Sequence, residues 1–114
     1  MASPQIAALE KLLGTPRDGA LLRYSLGLAL HRAGESARAI AELREALARD
    51  AGFSAAWKTL GGVLAEAGRD AEALAAWRAG ILAAREKGDR QAEKEMTVFA
   101  RRLERKGAGG GPEA

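Results

Sequence analysis

The chain has 114 residues and a formal net charge of +3. This length predicts one domain, and the 47% of hydrophobic residues suffice for a core although only 4% of residues are aromatic. The absence of cysteine excludes a disulfide framework and thiol chemistry.

The N-terminal sequence MASPQIAALE lacks the basic start and the apolar run of a signal peptide. No apolar stretch approaches the ~18 residues that a membrane span requires. We therefore expect a cytoplasmic protein without a membrane partner.

The first predicted helix runs from Ser3 to Leu13, with Ser3 as N-cap and Pro4 at the first helical position. Its apolar residues recur at intervals of 34, as the sets Ile6/Ile40/Leu74, Leu9/Leu43/Trp77 and Leu13/Leu47/Ile81 show. We predict that residues 1–19 form a half repeat, equivalent to the second helix of each full repeat, with a turn from Gly14 to Gly19. The alternative is a flexible N-terminal leader.

The same period of 34 relates the segment Leu26–Leu47 to the segment Leu60–Ile81. The matching pairs are Leu26/Leu60, Gly27/Gly61, Leu30/Leu64, Gly34/Gly68 and Ala39/Ala73. A fixed period of this length is typical of stacked helix–turn–helix repeats. We predict full repeats over residues 20–53 and 54–87.

Within each repeat, a glycine separates two helical apolar patterns. In the first repeat these patterns are Leu22, Leu26, Ala29, Leu30 and Ala33, then Ala39, Ile40, Leu43, Ala46 and Leu47. Gly34 and Gly68 are predicted to adopt the left-handed conformation just past a helix end. Ser36 and Asp70 are predicted to cap the helices that follow.

Small residues recur on the predicted helix contacts. A glycine inside a helix costs about 1 kcal/mol relative to alanine, so a repeated one needs a reason. We expect Gly27 and Gly61 to let a facing helix approach closely. Ala39, Ala46, Ala73 and Gly80 would do the same from the second helix, while Trp57 and Trp77 fill wider gaps.

A last helix is predicted from Arg90 to Lys106, with Asp89 as its cap and an apolar stripe of Ala92, Met96, Phe99, Ala100 and Leu103. Met96 falls where Gly27 and Gly61 stand in the repeats, so we expect it to keep a further helix from packing. Residues 88–106 are therefore predicted to be a C-terminal capping helix with a charged outer face. Residues 107–114, GAGGGPEA, are predicted to be a disordered tail.

These residues resemble the tetratricopeptide repeat (TPR) family, most clearly in the second copy. Its signature positions are Trp57, Leu60, Gly61, Leu64, Gly68, Ala73, Trp77 and Gly80. The first copy departs from the pattern at Arg23 and Leu43, and neither copy has the closing proline. The resemblance implies an all-α solenoid of about six helices in antiparallel pairs with a right-handed superhelical curl.

In the family, the first helices of the pairs line a concave groove that holds a peptide or a partner's helix. The resemblance places in this groove Leu21, Tyr24, Leu28, His31, Ala55, Lys58, Thr59, Gly62 and Glu66, with Glu93, Thr97 and Arg101 from the last helix. Leu21, Tyr24 and Leu28 form a second apolar face, which is typical of a contact site. The alternative is that the half repeat or a second copy of the chain covers them.

The function expected from this resemblance is that of a non-enzymatic adaptor or assembly factor that binds another protein, as a monomer or weak homodimer. One alternative is a nucleic-acid-associated factor that uses the basic residues of the last helix, Arg101, Arg102, Arg105 and Lys106. Interleaved glutamates and the lack of an aromatic among these residues disfavour it. Another alternative is a self-associating scaffold.

The sequence predicts no catalytic site, no metal site and no phosphate-binding site. His31 is the sole histidine, and without cysteine it does not make a usual zinc site. No catalytic constellation surrounds it. The Gly61-Gly62 pair lies inside a helical pattern and lacks the Lys-Ser/Thr ending of a phosphate loop. The family's clamp for acidic C-terminal tails needs asparagine, which the chain lacks. We expect no enzyme activity, no metal and no cofactor.

Overall fold

The computed structural model describes residues 3–109, which form six α-helices joined by turns. The helices are α1 (Pro4–Glu10), α2 (Ala20–Arg32), α3 (Ser36–Arg49), α4 (Ser54–Glu66), α5 (Asp70–Lys87) and α6 (Arg90–Gly109). Helix α2 packs along α3, α4 along α5, and α5 along α6, while α2, α4 and α6 are neighbours in that order. This is the predicted all-α solenoid, with principal extents of 51 × 36 × 19 Å.

Helix α1 begins as predicted but ends early. The Ser3 hydroxyl accepts a hydrogen bond from the Ile6 amide at 3.4 Å, and Pro4 is the first helical residue. The helix stops at Glu10, three residues before the predicted end, because the amides of Leu12 and Leu13 bond only three residues back. Ile6 nevertheless lies buried in the core.

Glycines end three helices in the left-handed conformation. Gly34, Gly68 and Gly88 have φ of 80°, 77° and 74°. The residue after each glycine donates its amide to a carbonyl five residues earlier, at 2.8 to 2.9 Å, which closes the preceding helix. The predictions for Gly34 and Gly68 are confirmed. Ala33, the last residue of the first helical apolar pattern, is exposed because α2 has already ended at Arg32.

The predicted caps at Ser36 and Asp70 are wrong. Each is the first helical residue, and the N-cap positions are held by Glu35 and Arg69, whose side chains make no capping bond. The residue directly after each turn glycine becomes the N-cap, so Ser36 and Asp70 come one position too late. Asp89 directly follows Gly88, and its carboxylate accepts the Ala92 amide at 3.1 Å, as predicted.

The expected close approaches at glycine are present. A Cβ at Gly27 would lie 2.8 Å from Cγ of Leu43. One at Gly61 would overlap the indole of Trp77, which donates to the Lys58 carbonyl at 3.2 Å. Real Cβ atoms essentially never come this near a neighbour, so both helix pairs depend on glycine.

Helix α6 differs from the prediction in two ways. Met96 does not block an outer surface: it is fully buried, and its thioether packs over Gly80 of α5. The reason is that Met96 lies on the side of α6 that packs against α5. Helix α6 also continues to Gly109, past the predicted end at Lys106. The rest of the predicted tail, residues 110–114, lies outside the described residues.

Candidate functional site

One face of α2 carries the apolar residues predicted for the groove. Leu21 is 69% exposed, whereas Tyr24 and Leu28 are half-buried. The ring of Tyr24 lies 4.8 Å, centroid to centroid, from that of Phe53 at the start of α4. The sequence pattern did not single out Phe53, because it lies outside both repeat signatures. Leu21 is thus the accessible apolar member of this face.

Polar contacts connect α2 to α4 and α4 to α6. The imidazole Nε2 of His31 lies 3.1 Å from the Glu66 carboxylate. The Lys58 ammonium donates to Glu95 at 2.8 Å, and this bond, with one from Gln91, lowers the pKa of the Glu95 carboxyl. Lys58, predicted as a groove cation, is therefore already paired within the molecule.

The remaining predicted groove positions of α4 are Ala55, Thr59 and Gly62. All three are half-buried, and a Cβ added at Gly62 would meet no atom within 4 Å. The space over Gly62 is therefore open. We name the surface formed by Leu21, Tyr24, Leu28, His31, Lys58, Thr59, Gly62 and Glu66 the α2–α4 face.

The predicted residues of α6 turn away from this face. Glu93 accepts a bond at 2.9 Å from Arg85 of α5, and the Thr97 hydroxyl donates to the Glu93 carbonyl at 2.8 Å. These residues and Arg101 line a cavity between the end of α5 and one side of α6. It is Glu95, two positions further along than Glu93, that meets α4.

An apolar cavity of about 570 Å³ opens between α3 and α5. Its floor is formed by Trp57, Leu60 and Leu64 of α4, and its walls are largely alanine. Arg44 and Glu72 also line the cavity, and Arg44 joins Glu72 at 2.9 Å. Bonds from Arg69 and Arg44 lower the pKa of the Glu72 carboxyl to about 2. The alanines expected to pack closely, Ala39, Ala46 and Ala73, do not line this cavity, and the repeat pattern predicted no opening here.

A polar network occupies the place of the missing tryptophan in the first repeat. Arg23 donates two bonds of 2.9 Å to Asp18 and a third of 2.9 Å to Glu42 of α3. The bonds from Arg23, and one from the Gly14 amide, hold the pKa of the Asp18 carboxyl far below its usual value. The network links the first turn to α2 and α3.

Within residues 3–107, no three His, Cys, Asp or Glu side chains lie close enough together to hold a metal ion. In that part of the chain the His31 ring has Glu66 as its only hydrogen-bond partner. None of the described helices is both long enough and apolar enough to cross a bilayer.

Comparison with known proteins identifies the kind of molecule. The chain is 46% identical over 100 residues to the TPR repeat-containing protein PA0015 of Pseudomonas aeruginosa, a match that covers 88% of this chain and 95% of that relative. Protein BPP2914 from Bordetella parapertussis, known from a solution structure, is 40% identical in sequence. The match covers 95% of this chain and 93% of the chain of BPP2914, with a TM-score of 0.79. No family model matches the chain.

A tetratricopeptide repeat domain protein from Salinibacter ruber shares the fold, with a TM-score of 0.72 at 23% identity over 76% of this chain and 88% of its own. Stacked antiparallel helix pairs that meet at repeated glycines define a helical-repeat solenoid. Given its relative in Pseudomonas aeruginosa, the chain belongs to the TPR repeat-containing proteins. Such proteins are in general non-catalytic interaction modules, so the fold supports a role in protein–protein interaction.

Proposed function

We propose that this chain is a non-enzymatic adaptor or assembly factor of the cytoplasm that holds a peptide or helix of a partner protein on the α2–α4 face. The supporting observation is Leu21, which is 69% exposed on a helix whose opposite face is already buried in the core. The exposed Leu21, the half-buried Leu28 two turns further along α2 and the open space over Gly62 of α4 offer contacts for apolar side chains.

In this proposal the chain is organised as a half repeat over residues 1–19, repeats over 20–53 and 54–87, and a capping helix over 88–106. The partner would lie across α2 and α4, where the His31–Glu66 and Lys58–Glu95 pairs flank the apolar contacts. Groups already paired in this way bind a neutral or apolar segment better than a strongly charged one, because a charged segment would have to displace an existing partner.

A second candidate places the partner in the apolar cavity between α3 and α5, since its alanine walls leave about 570 Å³ open above Trp57. The nucleic-acid alternative is weaker, because the basic residues of α6 lie on different sides of the helix. Arg102 and Lys106 line a cavity with Trp77 and Phe99, so aromatic rings do lie beside two of these cations, contrary to the sequence expectation. Arg101 lines the cavity on the other side of α6.

The test is affinity capture from extract of the source cell with nuclease added. The bait variants are Leu21→Lys and, as a matched control, Leu82→Lys, since Leu82 is a similarly exposed leucine on α5 at 58%. We expect one protein to be retained by the wild type and by Leu82→Lys and to be lost with Leu21→Lys.

Other outcomes contradict the proposal in distinguishable ways. A protein lost with Ala79→Arg, which fills the alanine-walled cavity, but kept by Leu21→Lys would move the site to the α3–α5 side. A capture emptied by nuclease would support the nucleic-acid alternative. Light scattering that shows a stable dimer dispersed by Leu21→Lys would support the self-associating scaffold.

A further inference from the structure

The cavity of about 640 Å³ between the end of α5 and one side of α6 is distinct from both surfaces above. Four cationic side chains line it, namely Arg85, Arg90, Lys94 and Arg101, together with the single carboxylate of Glu93. We name it the α5–α6 cavity. Its lining is positively charged, because one carboxylate does not balance four cations.

The positive charge that Glu93 does not balance is carried by Arg90, Lys94 and Arg101. Arg85 is paired with Glu93 at 2.9 Å. Within residues 3–107, Arg90, Lys94 and Arg101 form no ion pair, although most other arginines of the chain do. Their spacing of four and seven residues places them along one side of α6. Three aligned cations without partners favour an anionic ligand.

The helix that carries them is firmly held. Ala92, Met96 and Ala100 bury its opposite side in the core, and Asp89 fixes its first turn by accepting the Ala92 amide. Val98 lies in the same cavity and is 45% exposed. The cavity therefore combines cations with one apolar contact on a rigid helix, which reduces the entropy lost when a ligand binds.

We propose that the α5–α6 cavity binds an acidic segment of a partner protein, whose carboxylates pair with Arg90, Lys94 and Arg101 and whose apolar side chain packs on Val98. This inference rests on the proposed function, because it assumes that the partner is a protein. It adds a contact surface separate from the α2–α4 face. Charge complementarity and the apolar contact together select a peptide that mixes acidic and apolar residues.

Nucleic acid fits this cavity less well. The cations of this cavity lie on one short side of α6, whereas a phosphate backbone carries its charges along a continuous strand. No aromatic ring is among the described residues that line the cavity, so a base would find nothing to stack on. Arg102 and Lys106 belong to the opposite cavity, so the basic side chains do not form a continuous track along a strand.

The experiment measures fluorescence anisotropy of a labelled peptide of glutamates and aspartates around a central leucine, bound to the full chain at physiological salt. The variant Lys94→Glu/Arg101→Glu reverses two unpaired cations. We expect it to weaken binding about tenfold or more. The control Arg17→Glu/Arg102→Glu changes net charge equally at exposed arginines elsewhere and should stay within about twofold of wild type.

Three results would overturn the proposal: no binding by the wild type, equal weakening by both double variants, or a labelled oligonucleotide that binds more tightly than the peptide through Lys94 and Arg101. Circular-dichroism melts of both variants with the same midpoint as the wild type establish that folding is retained. The Leu21→Lys variant should bind the peptide as the wild type does. A negative result here leaves the capture experiment on the α2–α4 face unaffected, so the two proposals fail separately.

Discussion

The thioether of Met96 on α6 packs directly onto Gly80 of α5, in the space that any larger side chain would occupy. Elsewhere the glycine lies on the first helix of a pair and the large residue on the second, as Gly61 and Trp77 show. Here the small and large residues have exchanged helices. The exchange lets α6 pack against α5 closely, and it explains why a methionine replaces the glycine of the repeats at position 96.

This contact predicts coupled effects on stability. Met96→Ala should lower the free energy of unfolding by about 2–4 kcal/mol, because it leaves a cavity at a fully buried site. Gly80→Ala should cost about 1–3 kcal/mol by overpacking. The double variant should cost about 1 kcal/mol less than the sum, because the new methyl group enters space that the sulfur has left. Urea denaturation of all four proteins measures the coupling.

The rescue in this cycle should be partial, since a Cβ at residue 80 would still lie 2.6 Å from Cβ of Trp57. Strict additivity of the two single changes would contradict the contact between Met96 and Gly80.

Adjacent glycines of α4 should respond oppositely to the same substitution. Gly61→Leu should lower the free energy of unfolding by about 3 kcal/mol or more, because its side chain would displace the Trp77 indole and break its bond to the Lys58 carbonyl. A Cβ at Gly62 would meet no atom within 4 Å, so Gly62→Leu should be stabilising by up to about 1 kcal/mol through helix propensity. Thermal melts followed by circular dichroism compare them. Similar midpoints for the two variants would argue against this helix packing.

Asp18 should make the free energy of unfolding depend on pH in the acidic range. Its pKa in the folded protein lies below the value of about 3.9 expected in the unfolded chain. The ionised carboxylate therefore stabilises the fold above about pH 4, and this contribution is lost as pH falls towards the folded-state pKa. Asp18→Asn should lower Tm at neutral pH, and the difference from wild type should shrink on acidification.

The matched control for this series is Glu86→Gln, at an exposed carboxylate that forms no ion pair within residues 3–107. Because this carboxylate lies in the last turn of α5, where a negative charge opposes the helix dipole, Glu86→Gln should not lower Tm at neutral pH. A constant difference between Asp18→Asn and wild type at every pH would show that the network around Arg23 does not depend on the ionised carboxylate.

Leu21 and Tyr24 should separate binding from folding. Leu21→Lys should change the free energy of unfolding by no more than about 0.5 kcal/mol, because the side chain is 69% exposed. Tyr24→Ala should cost at least about 1 kcal/mol, because it removes the packing on Phe53. Urea denaturation measures both. If Leu21→Lys proved as destabilising as Tyr24→Ala, Leu21 would be covered and could not serve as an accessible contact.

Much of the fold was predictable because it depends on local features. The recurrence of Gly34 and Gly68 located two helix ends, and both glycines adopt positive φ, as a left-handed helix end requires. The same locality explains the errors in the caps: Ser36 and Asp70 fit the residue preference, but the turn geometry assigns the cap to the preceding residue. Phe53 was missed because it packs on Tyr24, a residue far from it along the chain.

Most helices, their glycine turns and most residues that face the core followed from the sequence, because periodicity and backbone conformation are set by neighbours along the chain. The polar contacts between helices did not. Glu95 rather than Glu93 reaches Lys58, and alanine walls leave an open cavity between α3 and α5. The physical reason is that such contacts depend on the rotation and separation of packed helices, which small shifts in side-chain packing set.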